Sequence, residues 1–510
     1  MLVKLSFKLT HLQINLISLF LVSTWIAALL IITIGYRETR FGLLALGGIA
    51  GLVVAVTIFK WPQIGVYLLV ISVFTNASTI LTDQGLPGIN KPLTALVFLT
   101  IMVKRFSART PLLPLRGAER FFLAYGGVWL ASIVVAKDQA IVIDRVIDFI
   151  KDFAILLCVV YVLSERPDGW KRLIWLIIIS AGVLAGLGAY QALTGNTHQT
   201  FFGFSKYVIA QIVEGSEDSG RLNGPLDDPN FWGQTLVSIL PLALYRLLDE
   251  QKIILKIIAA LSALFIALAI LNTYSRGAFM AMMLVLLLVA IERRIKFSLI
   301  VSIIPAVFLI MQFLPAGFTD RLQTLSIFTN EDSNVQSEVS FRGRSSEMMS
   351  GLNMFADHPF LGVGVGNYIQ HYQKYASRLG LEYRTEGRRA HSTYLEIAAE
   401  TGLPGLITFG GLFLSVFLNL AQTRRKLRIL PDYPRWSTWI SGLQIGISAY
   451  LFTSTFLHGD YIRYLWLLVT LSVALFHLAD HLVVNQKTIQ TRSIPWSGSQ
   501  TQPTTSWMGY

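Results

Sequence analysis

The chain has 510 residues, of which 53% are hydrophobic and only 14% charged, with a formal net charge of +12 and a mean hydropathy of +0.57. Soluble domains carry about 25% charged residues, so this composition excludes a water-soluble globular protein and requires most of the surface to meet lipid. The single cysteine, Cys158, lies within an apolar run and gives no basis for a disulfide framework or a thiolate metal site.

Apolar runs of roughly 17–24 residues recur along the chain, a length that crosses a ~30 Å hydrocarbon core as helix. The ~10-residue alternation of a membrane barrel is absent. The pattern predicts an all-α, polytopic transmembrane helical bundle of about 14 spans (range 12–14), with centres near residues 25, 50, 72, 97, 128, 154, 183, 239, 262, 284, 306, 413, 446 and 470. The first run, near Ile14–Tyr36, is span-length and lacks a small-residue cleavage site, so a retained first helix is expected. Five regions follow: N-terminal transmembrane helices over 1–194, an outer loop and further spans over 195–315, a large periplasmic helical loop domain over 316–403, C-terminal spans over 404–485, and a disordered tail over 486–510.

Lysine and arginine cluster in alternate connections, including Lys104/Arg105/Arg109, Arg166/Lys171/Arg172, Arg293/Arg294/Lys296 and Arg424/Arg425/Lys426/Arg428, whereas Leu81–Asn90 and His458–Tyr464 are poor in basic residues. The positive-inside rule then puts both termini in the cytoplasm and the long polar loop on the outer side. The basic charge records topology, and no nucleic-acid partner is expected.

In chain order, the first unusual group is Asp144, Asp148 and Asp152 with Lys151, inside the span near residue 154. Ionisable groups at membrane depth are costly, so this is either a mutually neutralised structural cluster or an ion path. Next comes Arg221-Leu222-Asn223-Gly224-Pro225-Leu226-Asp227-Asp228-Pro229-Asn230. Asp228 suits an N-cap and Pro229 a first helical position, and a metal reading would need oxygen ligands that the sequence does not plainly supply. Arg221 has no capping role, and beside helix N-termini it would add to a site that already attracts anions.

Ser275-Arg276-Gly277 follows in a tight outer connection. Against the positive-inside bias, Arg276 either snorkels to lipid phosphates or uses its bidentate fork on a phosphate ligand. The polar island from about Pro315 to Pro404 carries the charged run Phe341-Arg342-Gly343-Arg344, then His358-Pro359-Phe360-Leu361-Gly362-Val363-Gly364-Val365-Gly366, then His391-Ser392-Thr393-Tyr394-Leu395-Glu396. Helices are expected over Arg344–Asp357 and Asn367–Arg378, and a third starting in a capping box, Thr393 to Glu396, and stopped by Gly402-Leu403-Pro404. The Gly362/Gly364/Gly366 turn lacks the strand and helix context of a dinucleotide loop and reads as a close approach of backbone to another element. His391 lies just ahead of a helix start. A loop histidine is either structural or, given its near-neutral pKa, a general base. His358, His371 and His391 are not spaced as zinc ligands, so no metal is expected.

Together these segments resemble the O-antigen ligase and polymerase family, integral membrane enzymes that handle undecaprenyl-linked glycans. The resemblance rests on Arg221…Asp228-Pro229-Asn230, on Ser275-Arg276-Gly277, on the His358–Gly364 segment, and on Ala390-His391 through Glu396 followed by Gly402-Leu403-Pro404-Gly405, over roughly Gly195 to Asn419. It implies an inverting, metal- and cofactor-independent transfer of polysaccharide from undecaprenyl diphosphate to an acceptor hydroxyl, on lipid A–core or another glycan, at the outer face of the bacterial inner membrane. It further implies that Arg221 and Arg276 bind the diphosphate and that His391 is the catalytic base, with Asp228, Asn230, Ser275, Glu396 and His358 in support. The alternatives are a polysaccharide polymerase with the same donor chemistry and an inorganic-carbon transporter using the Asp148 region. Two features depart from the family: the span count is higher, and the Asp148 cluster has no place in its motif.

Overall fold

A computed structural model describes residues 40–208, 220–294, 335–380, 387–459 and 462–492. The elements are α1 (Arg40–Lys60), α2 (Pro62–Phe74), α3 (Ala77–Asp83), α4 (Asn90–Ser107), α5 (Gly117–Ala131), α6 (Gln139–Leu163) and α7 (Pro167–Thr194). Strands β1 (Lys206–Val208) and β2 (Arg221–Gly224) precede α8 (Pro229–Asp249), α9 (Ile253–Asn272) and α10 (Arg276–Glu292). Then come α11 (Val335–Asp357), α12 (Tyr368–Arg378), α13 (Thr393–Leu427), α14 (Tyr433–Thr453) and α15 (Arg463–Arg492). The expected spans near 25 and 306 lie outside the described residues, and a helix covers each of the other expected centres.

Five of these helices, α7, α8, α9, α13 and α15, are long and apolar enough to cross a membrane, or six if α2 and α3 form one span bent by 61°. That count is of the described residues, which leave out two of the 14 expected spans, and it stays below the remaining 12. The reasons are local: α5 has 15 residues and α10 has 17, short of the ~20 a span needs. Helix α6 carries Asp144, Arg145, Asp148, Lys151 and Asp152. The α2–α3 bend sits at Asn76, whose φ of 58° is a left-handed conformation that asparagine tolerates better than most residues. The Asn76 side chain donates to the Pro225 carbonyl at 2.8 Å and accepts from Arg463 at 2.8 Å, so the bend is fixed to the rest of the protein on both sides.

Helix α8 is the axis of the bundle, packed on α7, α9, α10 and α14, with Trp232, Leu236, Leu240 and Ala243 buried. Helix α9 turns Ile254, Ile257, Leu261 and Leu264 outward, the apolar surface a lipid-facing helix presents. Helices α8, α10 and α13 start at one end of the bundle and α14 finishes there, where the Thr393 N–H donates to the Ser454 carbonyl at 2.9 Å. Their other ends carry Arg246, Arg293 and Arg424, bonded to Thr438, to Asp249, and to Ser441 and Gln444 respectively.

The 195–228 connection holds a 3-10 turn at Phe201–Gly203 and an antiparallel ribbon with Val208 opposite Arg221. The all-α expectation thus gains a small β element. In the second long connection α11 and α12 form as expected, but one detail differs. The cap of α13 is Ser392, whose hydroxyl accepts from the Leu395 N–H, not Thr393. Gly402, at φ 65° and ψ −158°, is non-helical and divides α13 into two helices at the stop that the sequence marks. The break frees carbonyls that the glycine turn takes up: the Val363 and Gly364 N–H groups donate to the Ala399 and Glu400 carbonyls at 2.9 and 3.0 Å. A Cβ on Gly362 would lie 2.2 Å from the Glu400 carbonyl carbon, so the turn is the close backbone approach that the sequence suggested. The tail expected to be disordered from 486 begins as helix to Arg492.

The Asp148 group is internally paired. Lys151 lies 3.2 Å from Asp148 and 3.6 Å from Asp152, and Lys91 of α4 lies 3.5 Å from Asp148. The charges tie α4 to α6.

Candidate active site

The site grows from three chain starts at one end of the bundle. Asp228 is extended at φ −131° and accepts the Asn230 N–H, capping α8 with Pro229 behind it. Ser275 does the same for α10, accepting the Ala278 N–H at 3.4 Å after Tyr274 turns the chain at φ 49°. Arg276 is therefore the first residue of a helix whose exposed N–H groups favour an anion, and its side chain is exposed. Arg221, at the start of β2, reaches across to this turn. Its Nε donates to the Thr273 carbonyl and its Nη2 to the Asn230 side chain, each at 3.0 Å. Asn230, expected in a supporting role, braces the guanidinium.

The third start is α13. His391 sits just before the Ser392 cap at φ 47°, a left-handed conformation that costs about 1–3 kcal/mol in a side chain of this kind. It persists because the chain is pinned two residues on: Thr393 bonds the Ser454 and Leu457 carbonyls through its N–H and hydroxyl, at 2.9 and 2.7 Å. Glu396 supports the same ledge, accepting from Arg389 at 3.1 Å and from the Gly459 N–H at 2.6 Å. Beneath it a cavity of about 50 Å³ is lined by Arg145, Arg389, Glu396 and Glu400.

The His391 ring lies 5.9 Å, centroid to centroid, from His458, which stands edge-on to Phe231 of α8 at 4.9 Å. Its Nε2 is 3.2 Å from a carboxylate oxygen of Glu347. Burial, then the fields of His458, Arg344 and Arg388, push the imidazole down to about 4, against an opposing pull from Asp228. Arg344 in turn feels the charge of Arg276. The β2, α8, α10, α11 and α13 groups therefore share one electrostatic neighbourhood. Arg221, Asp228, Asn230, Ser275, Arg276, His391 and Glu396 are all brought to this end of the bundle. His358 is set apart: it is exposed at the end of α11, beside Asp357 and His371. Among the described residues no group of three His, Cys, Asp or Glu side chains is arranged to hold a metal.

Residues 261–410 match the family model described as O-antigen ligase. This stretch is similar to an O-antigen ligase domain. The matched stretch runs from α9 past the Gly402 break in α13 and includes Arg276, Glu347, His391 and Glu396, while Arg221 and the α8 cap lie ahead of it. No curated protein matches the chain. Together with the apolar helices, the match supports a multi-pass bacterial membrane protein of the O-antigen ligase and polymerase class.

Sequence reasoning missed Glu347, His458 and Arg388. Arg344 stood in the charged run, and Glu347 three residues on shares its helix face, which was the one available hint. His458 gave none, being a single histidine in a short connection.

Proposed function

We propose that the protein transfers a glycan from undecaprenyl diphosphate to an acceptor hydroxyl at the outer face of the inner membrane, by direct inverting displacement without a metal. Arg221 and Arg276 grip the diphosphate, and the N-terminus of α10 adds its N–H groups. As the bond from the anomeric carbon to the diphosphate oxygen breaks, negative charge grows on the leaving group. Two guanidinium groups at this end of the bundle would stabilise that charge. His391 takes the proton of the acceptor hydroxyl as its oxygen forms the new glycosidic bond. Asp228 and Ser275 set the helix starts, and Asn230 and Glu396 hold Arg221 and the His391 ledge.

The observation that carries this reading is the strained His391 backbone, held beside cationic groups that have the charge to match a diphosphate. Its depressed basicity fits a site awaiting an anion. An imidazole facing guanidinium groups regains affinity for a proton when a diphosphate neutralises them, so donor binding would switch the base on. An outward-facing site fits the arginine-rich opposite ends of α8, α10 and α13 under the positive-inside rule. It fits both termini in the cytoplasm and a span count above six, counting helices too short to qualify alone.

The test is a knockout complemented with variants and read on a surface-glycan gel. H391A, expressed and inserted normally, should give no capped lipid. Loss of all capped lipid in the knockout marks a ligase, and a single-repeat cap marks a polymerase. An unchanged glycan would refute the transfer reading.

A further inference from the structure

We propose that the glycine turn over 358–366, which the sequence pattern assigns to the outer polar connection, is seated in lipid. The Phe360 ring enters the acyl chains of the leaflet at the His391 end of the bundle. This reaches beyond the transfer reading and does not depend on it.

A loop in water can leave its N–H groups to solvent, whereas irregular backbone at membrane depth must be satisfied within the protein. The turn is of the second kind. The Gly362 N–H donates to the His358 carbonyl at 3.1 Å, and Val363 and Gly364 donate to the Ala399 and Glu400 carbonyls. Val365 donates to Ser132 Oγ at 3.2 Å, Gly366 to the Glu400 carboxylate, and Asn367 to the Gly364 carbonyl at 3.0 Å. From Gly362 to Asn367 every N–H therefore has a protein partner, and Pro359 has no N–H to satisfy. The same bonds mend α13, a helix long and apolar enough to cross a membrane. At its Gly402 break the Leu403 N–H leaves the Ala399 carbonyl and donates instead to the Pro359 carbonyl at 2.7 Å. Pro404 has no N–H to offer Glu400. The turn fills both vacated carbonyls.

The side chains carry the same message. Phe360 is 75% exposed, and a Cβ on Gly402 would lie 2.6 Å from its carbonyl carbon, so it sits beside the exposed Leu403. From Leu403 the exposed residues Ile407, Leu414 and Leu418 continue down α13 at helical spacing, the stripe of a lipid-facing helix. On the other flank Leu130 and Val134 are exposed at the end of α5 and just past it. The turn packs there too, with Val365 on Ser132 and Gly364 so close to Ala136 that a Cβ would lie 2.6 Å from its methyl carbon. Phe360 thus extends an apolar surface that lipid already covers on both sides. Above it stands a basic rim. Burial first, and then the fields of Lys137, His358 and Lys374, lower the basicity of His371, against its hydrogen bond to the Asn367 carbonyl. Lys137, His358 and Lys374 are all exposed around that one point of α12. An apolar tip under basic side chains matches acyl chains under lipid phosphates. Because the turn is bonded to α13, which begins just after His391, lipid contact at Phe360 holds that ledge at a set height over the headgroups.

The test is a nitroxide at Phe360→Cys in the full chain, held in nanodiscs of phosphatidylcholine and phosphatidylglycerol. The native Cys158 is buried, and the wild-type chain treated with the same reagent gives the blank. Ile407→Cys on the exposed stripe of α13 is the lipid reference, and Ser377→Cys, exposed on α12, is the water reference. Power saturation should show the label at 360 colliding with dissolved oxygen and losing collisions with a water-soluble nickel chelate, as at 407 and opposite to 377. Chelate collisions at 360 equal to those at 377 place the turn in water and overturn the proposal. So does a label shielded from both oxygen and chelate, which means that protein covers the face. Dipolar coupling between labels at 360 on two chains also overturns it, since a second copy is then the occupant. No readout involves glycan transfer, so an inactive chain leaves this test intact, and H391A judges the transfer reading separately.

Discussion

The depressed basicity of His391 makes a prediction opposite to the usual one for a histidine base. A free imidazole near 6.5 would be only about 9% neutral at pH 5.5, whereas one at about 4 is about 97% neutral there. After solvent screening at a side chain 32% exposed, this depression amounts to about 2 kcal/mol against protonation. The free enzyme, reported by kcat/KM, should therefore keep its activity down to pH 5 and fall only near pH 4. The donor complex, reported by kcat, should lose activity at higher pH, because the diphosphate cancels the guanidinium field. Arg344→Gln removes one of the cations that hold the ring neutral, so it should raise the kcat/KM limb toward 6.5. The assay is the rate of glycan transfer against pH in nanodiscs, with donor below and above saturation. Coincident limbs near 6.5, unmoved in R344Q, would refute the electrostatic account. The same depression bears on stability. Between pH 6.5 and 4 the unfolded chain binds a proton that the folded one refuses, so the folded state loses stability as pH falls through that window.

Other expectations follow from single contacts. Arg276→Lys keeps the charge but loses the fork, and transfer should fall by about 10²–10³-fold, measured as capped lipid or initial rate. Asp228→Ala removes the α8 cap, which costs about 1 kcal/mol and should lower the melting temperature while leaving R276K no worse in combination. Gly362→Ala drives a Cβ into the Glu400 main chain, so it should reduce the yield of folded protein in membranes, as seen by fluorescence size-exclusion of a tagged chain. Asp148→Asn leaves glycan transfer intact if the Lys91–Asp148–Lys151 group only ties α4 to α6. Normal glycan with abolished bicarbonate uptake would instead favour transport.

How much of this was visible beforehand depends on the range of the signal. Asp228 and Pro229 announce a helix start within three residues, and the structure has that cap. The glycine turn was legible for the same reason: three glycines at alternate positions with no strand before them leave only a close approach to explain them. The sequence puts the α13 cap one residue late, because Thr393 and Ser392 are both good caps and only the Thr393 bonds to Ser454 and Leu457 decide between them. The ribbon of β1 and β2 was missed since three- and four-residue strands carry too little alternation to register. Apolar runs place a helix at every expected centre among the described residues, but hydropathy does not see that α5 and α10 are short for a full crossing.

The pairing of Glu347 with His391 shows a different limit. Forty-four positions separate the two residues, and nothing in a helix written Ser345-Ser346-Glu347-Met348 marks its acid as buried rather than exposed. Burial there is decided by Tyr368 and Tyr372, which cover the inner face of α11 and bind its main chain and Ser346. Arg344, one turn earlier on the same helix, stays exposed and contributes only its field. One helix thus delivers two opposite charges to one imidazole, the cation at a distance and the anion in contact. The distant cation weakens the resting base, while the anion lies 3.2 Å from its Nε2. A sequence records both charges, but only the packing of α12 beneath α11 decides which of them is buried.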